Sequence, residues 1–234
     1  MPPDRKKLVL FVEGGGDVDA APALVKRLLT ESNRWSSLIL DPTPFRVKGW
    51  GYLLKENGKE WIRFLKAAAV SHRPLGGVLL LLDGDIKGQG KFCARNKAWE
   101  LSRFARQAGA GSHFSVATVF AVQEYETWLI AGVESLAGKP FPDGRRGVNQ
   151  GVVAPSGNLE EAPRGAKGWL NGKMSRGYKP AKDQKALTEM VDLDLIRGRA
   201  LRSFRRLENA VRELADAIRS NQHVVTPAEK TGTP

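Results

Sequence analysis

The sequence predicts an α/β fold: a mostly parallel sheet flanked by helices, then a basic loop region and C-terminal helices. Three observations predict it. Apolar runs of strand length recur at Lys7–Val12, Gly77–Leu82 and His113–Val122. Segments with a three-to-four-residue apolar period separate them, as in repeated strand–helix units. The runs are continuous rather than alternating, which suits strands covered on both faces.

The elements follow in order. Lys7–Val12 reads as a buried strand that stops at Glu13-Gly14-Gly15-Gly16. Asp17 or Asp19 then caps a helix with Ala21, Leu24, Val25, Leu28 and Leu29 on one face, and Pro22 falls in its first turn, where a missing N–H costs least. Phe45–Gly51 suggests a short strand and Lys59–Val70 a helix. Gly77–Leu82 has the length and composition of a central strand and ends at Asp83-Gly84-Asp85. Lys91–Ala108 is helical by period, with Cys93 expected on its apolar, buried side. His113–Val122 is a third strand that runs into Gln123-Glu124-Tyr125-Glu126-Thr127-Trp128, with Trp128 anchoring the next helix in the core. Residues 138–182 read as a long basic loop region with one short helix, and such length suggests function rather than a core connection. Asp183–Met190 and Gly198–Ile218 are helical. The expected organisation is a core over 1–135, the basic loop region and packed helices over 136–219, and a disordered tail over 220–234.

Composition limits the function classes. The chain has 234 residues, 41% of them hydrophobic, enough for a sizeable core, which excludes a disordered polyelectrolyte. Its one cysteine excludes an intramolecular disulfide and a cysteine-built zinc cluster. The short apolar run before Glu13 is neither a signal peptide nor a membrane span, so a cytoplasmic protein with no membrane partner is expected. Lys and Arg total 37 against 25 Asp and Glu, a net charge of +12 that points to a polyanion. The excess is uneven: between Lys139 and Lys185 ten basic residues face only Asp143, Glu160, Glu161 and Asp183.

Each of the three strands ends in carboxylates: Glu13, then Asp83 and Asp85, then Glu124 and Glu126. In an open parallel sheet ligands bind beyond the carboxyl ends of the strands. If the strands are adjacent, the acids converge and repel one another unless cations neutralise them. Hard divalent ions take oxygen ligands, so an acidic edge within a basic protein suits phosphodiester chemistry. Each piece also has a plainer reading. Asp-x-Asp is good loop chemistry, Glu13 can simply end a strand, and Glu124 and Glu126 favour a following helix dipole. The triple glycine lacks the Lys-Ser/Thr of a phosphate-binding loop and reads as a tight strand-to-helix turn. Trp169 and Tyr178 either stack on exposed bases or pack locally.

Val12-Glu13-Gly14 at the first strand end and Asp83-Gly84-Asp85 after an apolar strand resemble the TOPRIM domain, the metal-binding module of topoisomerases, DnaG-type primases and overcoming-lysogenization-defect nucleases. With Glu124-x-Glu126-x-Trp128-Leu129, Gly177-Tyr178-Lys179-Pro180 and Ser203-Phe204 added, the order is similar to the bacterial domain-of-unknown-function family 4276, a TOPRIM-like (Rossmannoid) group often found beside AAA or ABC-type ATPases. The resemblance runs from about Leu8 to about Leu214. It implies Glu13 as general acid/base or metal ligand, and Asp83 and Asp85 as the metal-binding pair, completed by Glu124 and Glu126. The three glycines before Asp17 depart from the family's usual turn.

The leading expectation is therefore a Mg²⁺- or Mn²⁺-dependent nuclease acting on DNA or RNA, an effector of anti-phage defence with an ATPase partner. Charge clustering nominates Lys87, Lys91, Arg145, Arg146 and Lys173 as phosphate contacts. The rival is a non-catalytic nucleic-acid-binding or partner-docking module on the same scaffold. Nucleotidyl transfer ranks below both.

Overall fold

The structure, a computed structural model, describes residues 5–36, 38–84 and 92–228. The chain runs β1 (Lys6–Val12), α1 (Asp17–Glu31), β2 (Leu38–Leu40), β3 (Phe45–Arg46), α2 (Trp50–Leu53), α3 (Lys55–Ser71), β4 (Leu75–Asp83), α4 (Ala94–Gln107) and β5 (Ser115–Ala121). It continues through α5 (Glu126–Ala131), a 3₁₀ turn at Val133–Ser135, α6 (Ala166–Gly172), α7 (Pro180–Met190), α8 (Leu193–Gly198), α9 (Arg202–Ser220) and β6 (Val225–Thr226). The sheet order is β2-β1-β4-β5-β6, with β3 also on β1, and every pairing is parallel.

Alternation along the strands divides the core into two layers. Leu8, Leu10, Leu79, Leu81, Ala117 and Val119 face one side, where they meet residues of α1, α5, α7 and α9. Val9, Phe11, Val78, Leu80, Val116 and Phe120 face the other, against α3 and α4. With both faces covered, the strands have no polar side to show, which is why they read as unbroken apolar runs. Leu79 and Leu80 are both fully buried, and truncating either to alanine would cost about 2–5 kcal/mol. In α9, Leu207, Val211, Leu214 and Ile218 recur every three or four residues and are all buried. The stripe lies on the sheet, and Leu214 and Ile218 reach the glycines at the start of β4.

Several expectations need correction. The helix after the glycine turn starts from Gly16 with no side-chain cap rather than from an Asp17 or Asp19 cap, and the strand at Phe45 ends at Arg46, with Trp50 and Gly51 opening α2. The tail from Ser220 is not wholly disordered: Val225 and Thr226 pair with Val116 and Ala117, and Val116 N–H donates to the Val224 carbonyl at 2.8 Å. The unpaired edge of β5 has backbone groups to satisfy, and the β-branched Val224-Val225-Thr226 run supplies partners. Cys93 is exposed and sits just before α4 rather than within its buried face. Trp128 is a core anchor as expected, 1% exposed, with Nε1 donating to Ser203 Oγ at 2.9 Å. Among the described residues no helix is long and apolar enough to cross a membrane.

Topology places the site. From β1 the chain turns to β2 and β3 on one side, then crosses to β4 and β5 on the other. Such a reversal opens a crevice at the carboxyl ends of the two strands beside it. Val12 pairs with Leu81, and Asp83 with Ala121, so the ends of β1, β4 and β5 lie side by side.

Candidate functional site

At this edge three carboxylates from two strand ends meet one lysine. Asp83, the last residue of β4, accepts from Tyr125 N–H at 3.0 Å and from Lys167 Nζ at 3.1 Å. Glu124 follows β5; its carboxylate lies 3.7 Å from Lys167 Nζ and accepts the Lys167 backbone N–H at 3.0 Å. Glu126 opens α5, is fully buried, and lies 3.6 Å from the same ammonium. Its other oxygen accepts from Tyr178 Oη at 3.0 Å. Lys167 comes from α6, which is tethered by buried Ala166 and Leu170.

Asp17 completes the acidic set. It is 6% exposed, accepts from Gly14 N–H at 2.8 Å and receives Gln184 Nε2 at 2.6 Å. The glycine turn lets α7 close on it, since a Cβ on Gly16 would overlap Gln184 and come within 2.8 Å of Pro180 Cβ. Glu13 stands at the neighbouring strand end, where a Cβ on Gly49 would come within 2.6 Å of its carboxylate. Gly49 therefore leaves the room that Glu13 fills.

The electrostatics follow from burial. Burial pushes Asp83 up to about 8 against the pull of Lys167, with Asp17 and Glu126 adding to the rise. Burial likewise raises Glu126 to about 7, opposed by Lys167 and the Tyr178 hydrogen bond. Burial works against the charge on Lys167, but Asp83, Glu126 and Glu124 outweigh it and hold the ammonium above its ordinary range. The centre is a set of acids short of positive charge, with one lysine sharing itself among three of them.

Among the described residues, no three His, Cys, Asp or Glu side chains form a ready metal cage. The donor chemistry nevertheless fits a hard cation. All the donors are carboxylate oxygens, and three of them lie within 3.1–3.7 Å of one positive point. Glu126 Oε2 is buried with no hydrogen-bond donor among the described residues. With Lys167 withdrawn, Asp83, Glu124 and Glu126 are the residues that would hold such an ion.

The sequence-nominated residues divide accordingly. Asp83, Glu124 and Glu126 come together and Glu13 stands at the next strand. Asp85, Lys87 and Lys91 lie outside the described residues. Arg145 is committed to Asp143 and Asp183, each at 2.6 Å, while Arg146 shares a hollow of about 450 Å³ with Arg176, Lys179 and Lys182. These last four form no ion pair with a described residue. Lys173 lies over the Trp169 ring at 5.5 Å. Lys167, Asp17 and Tyr178 are the contributors that sequence reasoning missed. Tyr178 is 7% exposed and serves Glu126 rather than offering a stacking face. The glycine turn before Asp17 and the Gly177-Tyr178-Lys179-Pro180 motif offered signals for two of them; nothing distinguishes Lys167 from its basic neighbours.

Fold and site together define a parallel α/β protein with an acidic centre at the topological reversal of its sheet. The chain belongs to the family described as Domain of unknown function (DUF4276), whose pattern it matches over residues 12–212. No curated protein and no solved structure matches it.

Proposed function

We propose that the protein is a divalent-metal-dependent nuclease of TOPRIM type. The observation that carries this reading is the convergence of Asp83, Glu124 and Glu126 on one cation at the carboxyl edge of β4 and β5. In this reading Mg²⁺ or Mn²⁺ at those carboxylates supplies a Lewis acid for water and for the charge developing on phosphate. Tyr125 N–H and Tyr178 Oη orient Asp83 and Glu126. Glu13, one strand over, relays a proton. Arg146, Arg176, Lys179 and Lys182 hold the DNA or RNA backbone beyond α7's start. Family resemblance supports the TOPRIM assignment and an AAA or ABC-type ATPase partner in phage defence. The test is cleavage of single- and double-stranded DNA and RNA with Mn²⁺, alone and with an adjacently encoded ATPase. No cleavage by either, or cleavage that persists in Asp83→Ala, overturns the reading.

One observation favours a second reading. Lys167 already supplies a counter-charge to the acids, as a non-catalytic nucleic-acid-binding module would require. Nucleic-acid binding without calorimetric uptake of Mn²⁺ selects that module.

A further inference from the structure

A cavity of about 400 Å³ opens beside the upper half of β5, where β6 has ended and no described strand covers the edge. Its walls come from the start of α4 (Cys93, Ala94, Arg95, Ala98), from Thr118, Phe120 and Val122 of the β5 segment, and from the start of α9 with Pro227. It is distinct from the acidic centre, and none of Asp83, Glu124, Glu126 or Lys167 lines it.

Its polar groups are those an anion would satisfy. Thr118 is 1% exposed, and its Oγ1 has no hydrogen-bond partner among the described residues. A buried hydroxyl without a partner is costly, and such groups call for a ligand or water. Arg206 gives Nη1 to Glu213 and Nη2 to Thr226, yet its Nε is buried and unpartnered among the described residues. Arg95 and Arg202 are exposed at the mouth and form no ion pair with a described residue. The one acid among the described wall residues, Glu160, is engaged: it accepts Ser203 N–H at 2.6 Å and so caps α9. The first turn of α4 carries no acidic residue and no side-chain cap, so its N–H groups favour negative charge at the same mouth.

Apart from Ser203, whose Oγ accepts from Trp128 Nε1, the rest of the described wall is largely apolar. Phe120, Val122, Ala98 and Pro227 offer a surface suited to a flat ring, and the volume is that of one small-molecule ligand rather than a chain. We propose that this cavity binds a phosphorylated nucleoside unit, its phosphate on Arg95, Arg202 and the Thr118 hydroxyl, its base against Phe120, Val122 and Pro227. The unit is either a free mononucleotide or the phosphorylated end of a nucleic-acid strand. Val122 is two residues from Glu124, so a strand end seated here leads toward the acidic centre. The binding claim itself does not depend on metal or on cleavage.

Cys93, the only cysteine, is exposed and lines the cavity, which makes it a built-in reporter. The experiment follows the rate of Cys93 modification by a thiol reagent in full-length protein, with EDTA present. AMP should slow the reaction about 10-fold at saturation, because a ligand that fills such a pocket covers the thiol that lines it. Adenosine or inorganic phosphate alone should protect far less. Thr118→Val and Arg202→Ala should each weaken AMP protection, and Thr118→Val should melt no lower than the parent, since it removes an unpartnered hydroxyl. A 5′-phosphorylated oligonucleotide that protects as well as AMP identifies the strand end as ligand; protection by AMP alone identifies the free nucleotide. Absence of AMP protection, equal protection by adenosine, or protection unchanged in both variants overturns the proposal. Because no metal is present, these outcomes are independent of whether the protein cleaves nucleic acid.

Discussion

Lys167 reaches Asp83 across 84 residues of chain and places its ammonium 3.1 Å from the carboxylate at the end of β4. The same ammonium serves Glu124 and Glu126, so one flexible side chain balances a centre built by two strand ends. A divalent ion and this lysine answer the same electrostatic demand, and the first two predictions turn on that competition.

Replacing Lys167 with methionine removes the counter-charge but keeps the stem. Breaking a fully buried ion pair costs about 3–5 kcal/mol; with Lys167 43% exposed, a loss of about 1–3 kcal/mol is expected in metal-free protein. Adding Mn²⁺ should recover more stability in Lys167→Met than in the parent, because the ion replaces what the lysine supplied. Urea unfolding of both proteins, with EDTA and with Mn²⁺, measures this; equal recovery contradicts the exchange.

Asp83→Asn keeps the shape and the acceptor for Tyr125 N–H but lacks the negative charge. If the edge performs metal-assisted hydrolysis, cleavage should fall at least ~100-fold, as when a group aimed at developing charge is removed. Calorimetry should show weaker Mn²⁺ binding in the same variant. Full cleavage by Asp83→Asn would exclude this carboxylate as a metal ligand.

The metal-free protein should lose stability as pH rises from about 5 to about 8.5. Glu126 titrates near its ordinary value of 4.5 when unfolded and is raised to about 7 when buried, so the folded state holds its proton longer. The corresponding stability is fully present below the unfolded pKa and disappears as pH climbs through the folded one. Glu126→Gln should flatten this slope by on the order of 2 kcal/mol across the interval. Unfolding free energies at both pH values, in EDTA, decide it; parallel pH profiles for parent and variant refute it.

Around the basic hollow, Arg146→Ala and Lys182→Ala should weaken binding to DNA or RNA across sequences. Each phosphate contact removed should lower the slope of log K against log[salt] by ~0.7–0.9. Arg145→Ala should act differently, lowering stability through Asp183, which is 3% exposed and loses its guanidinium partner. Salt titrations of the three variants separate the two kinds of arginine.

Much of the scaffold was legible from local pattern. Leu8–Val12 and Val78–Leu82 are apolar at every position because both faces of a parallel strand are buried, and that constraint is written residue by residue. The positions of Asp83, Glu124 and Glu126 were legible as well, since Asp83 ends β4 and the two glutamates follow within five residues of the end of β5. Arg145 and Arg146, adjacent in sequence and alike in charge, were not separable: one lies within reach of Asp183 and the other does not.

The sequence by itself determined the α/β class, the parallel strands, and the placing of carboxylates at three strand ends. The tertiary structure alone decided that β1, β4 and β5 stand side by side, and that Lys167 turns inward among ten basic residues. It also decided that Asp17 and Tyr178 join the centre and that residues 225–226 extend the sheet. The physical reason is range. Burial on both faces of a strand acts on consecutive residues and leaves a periodic record. A contact such as Lys167 with Asp83 depends on where buried Ala166 and Leu170 seat α6 against the core, and no local pattern carries that information.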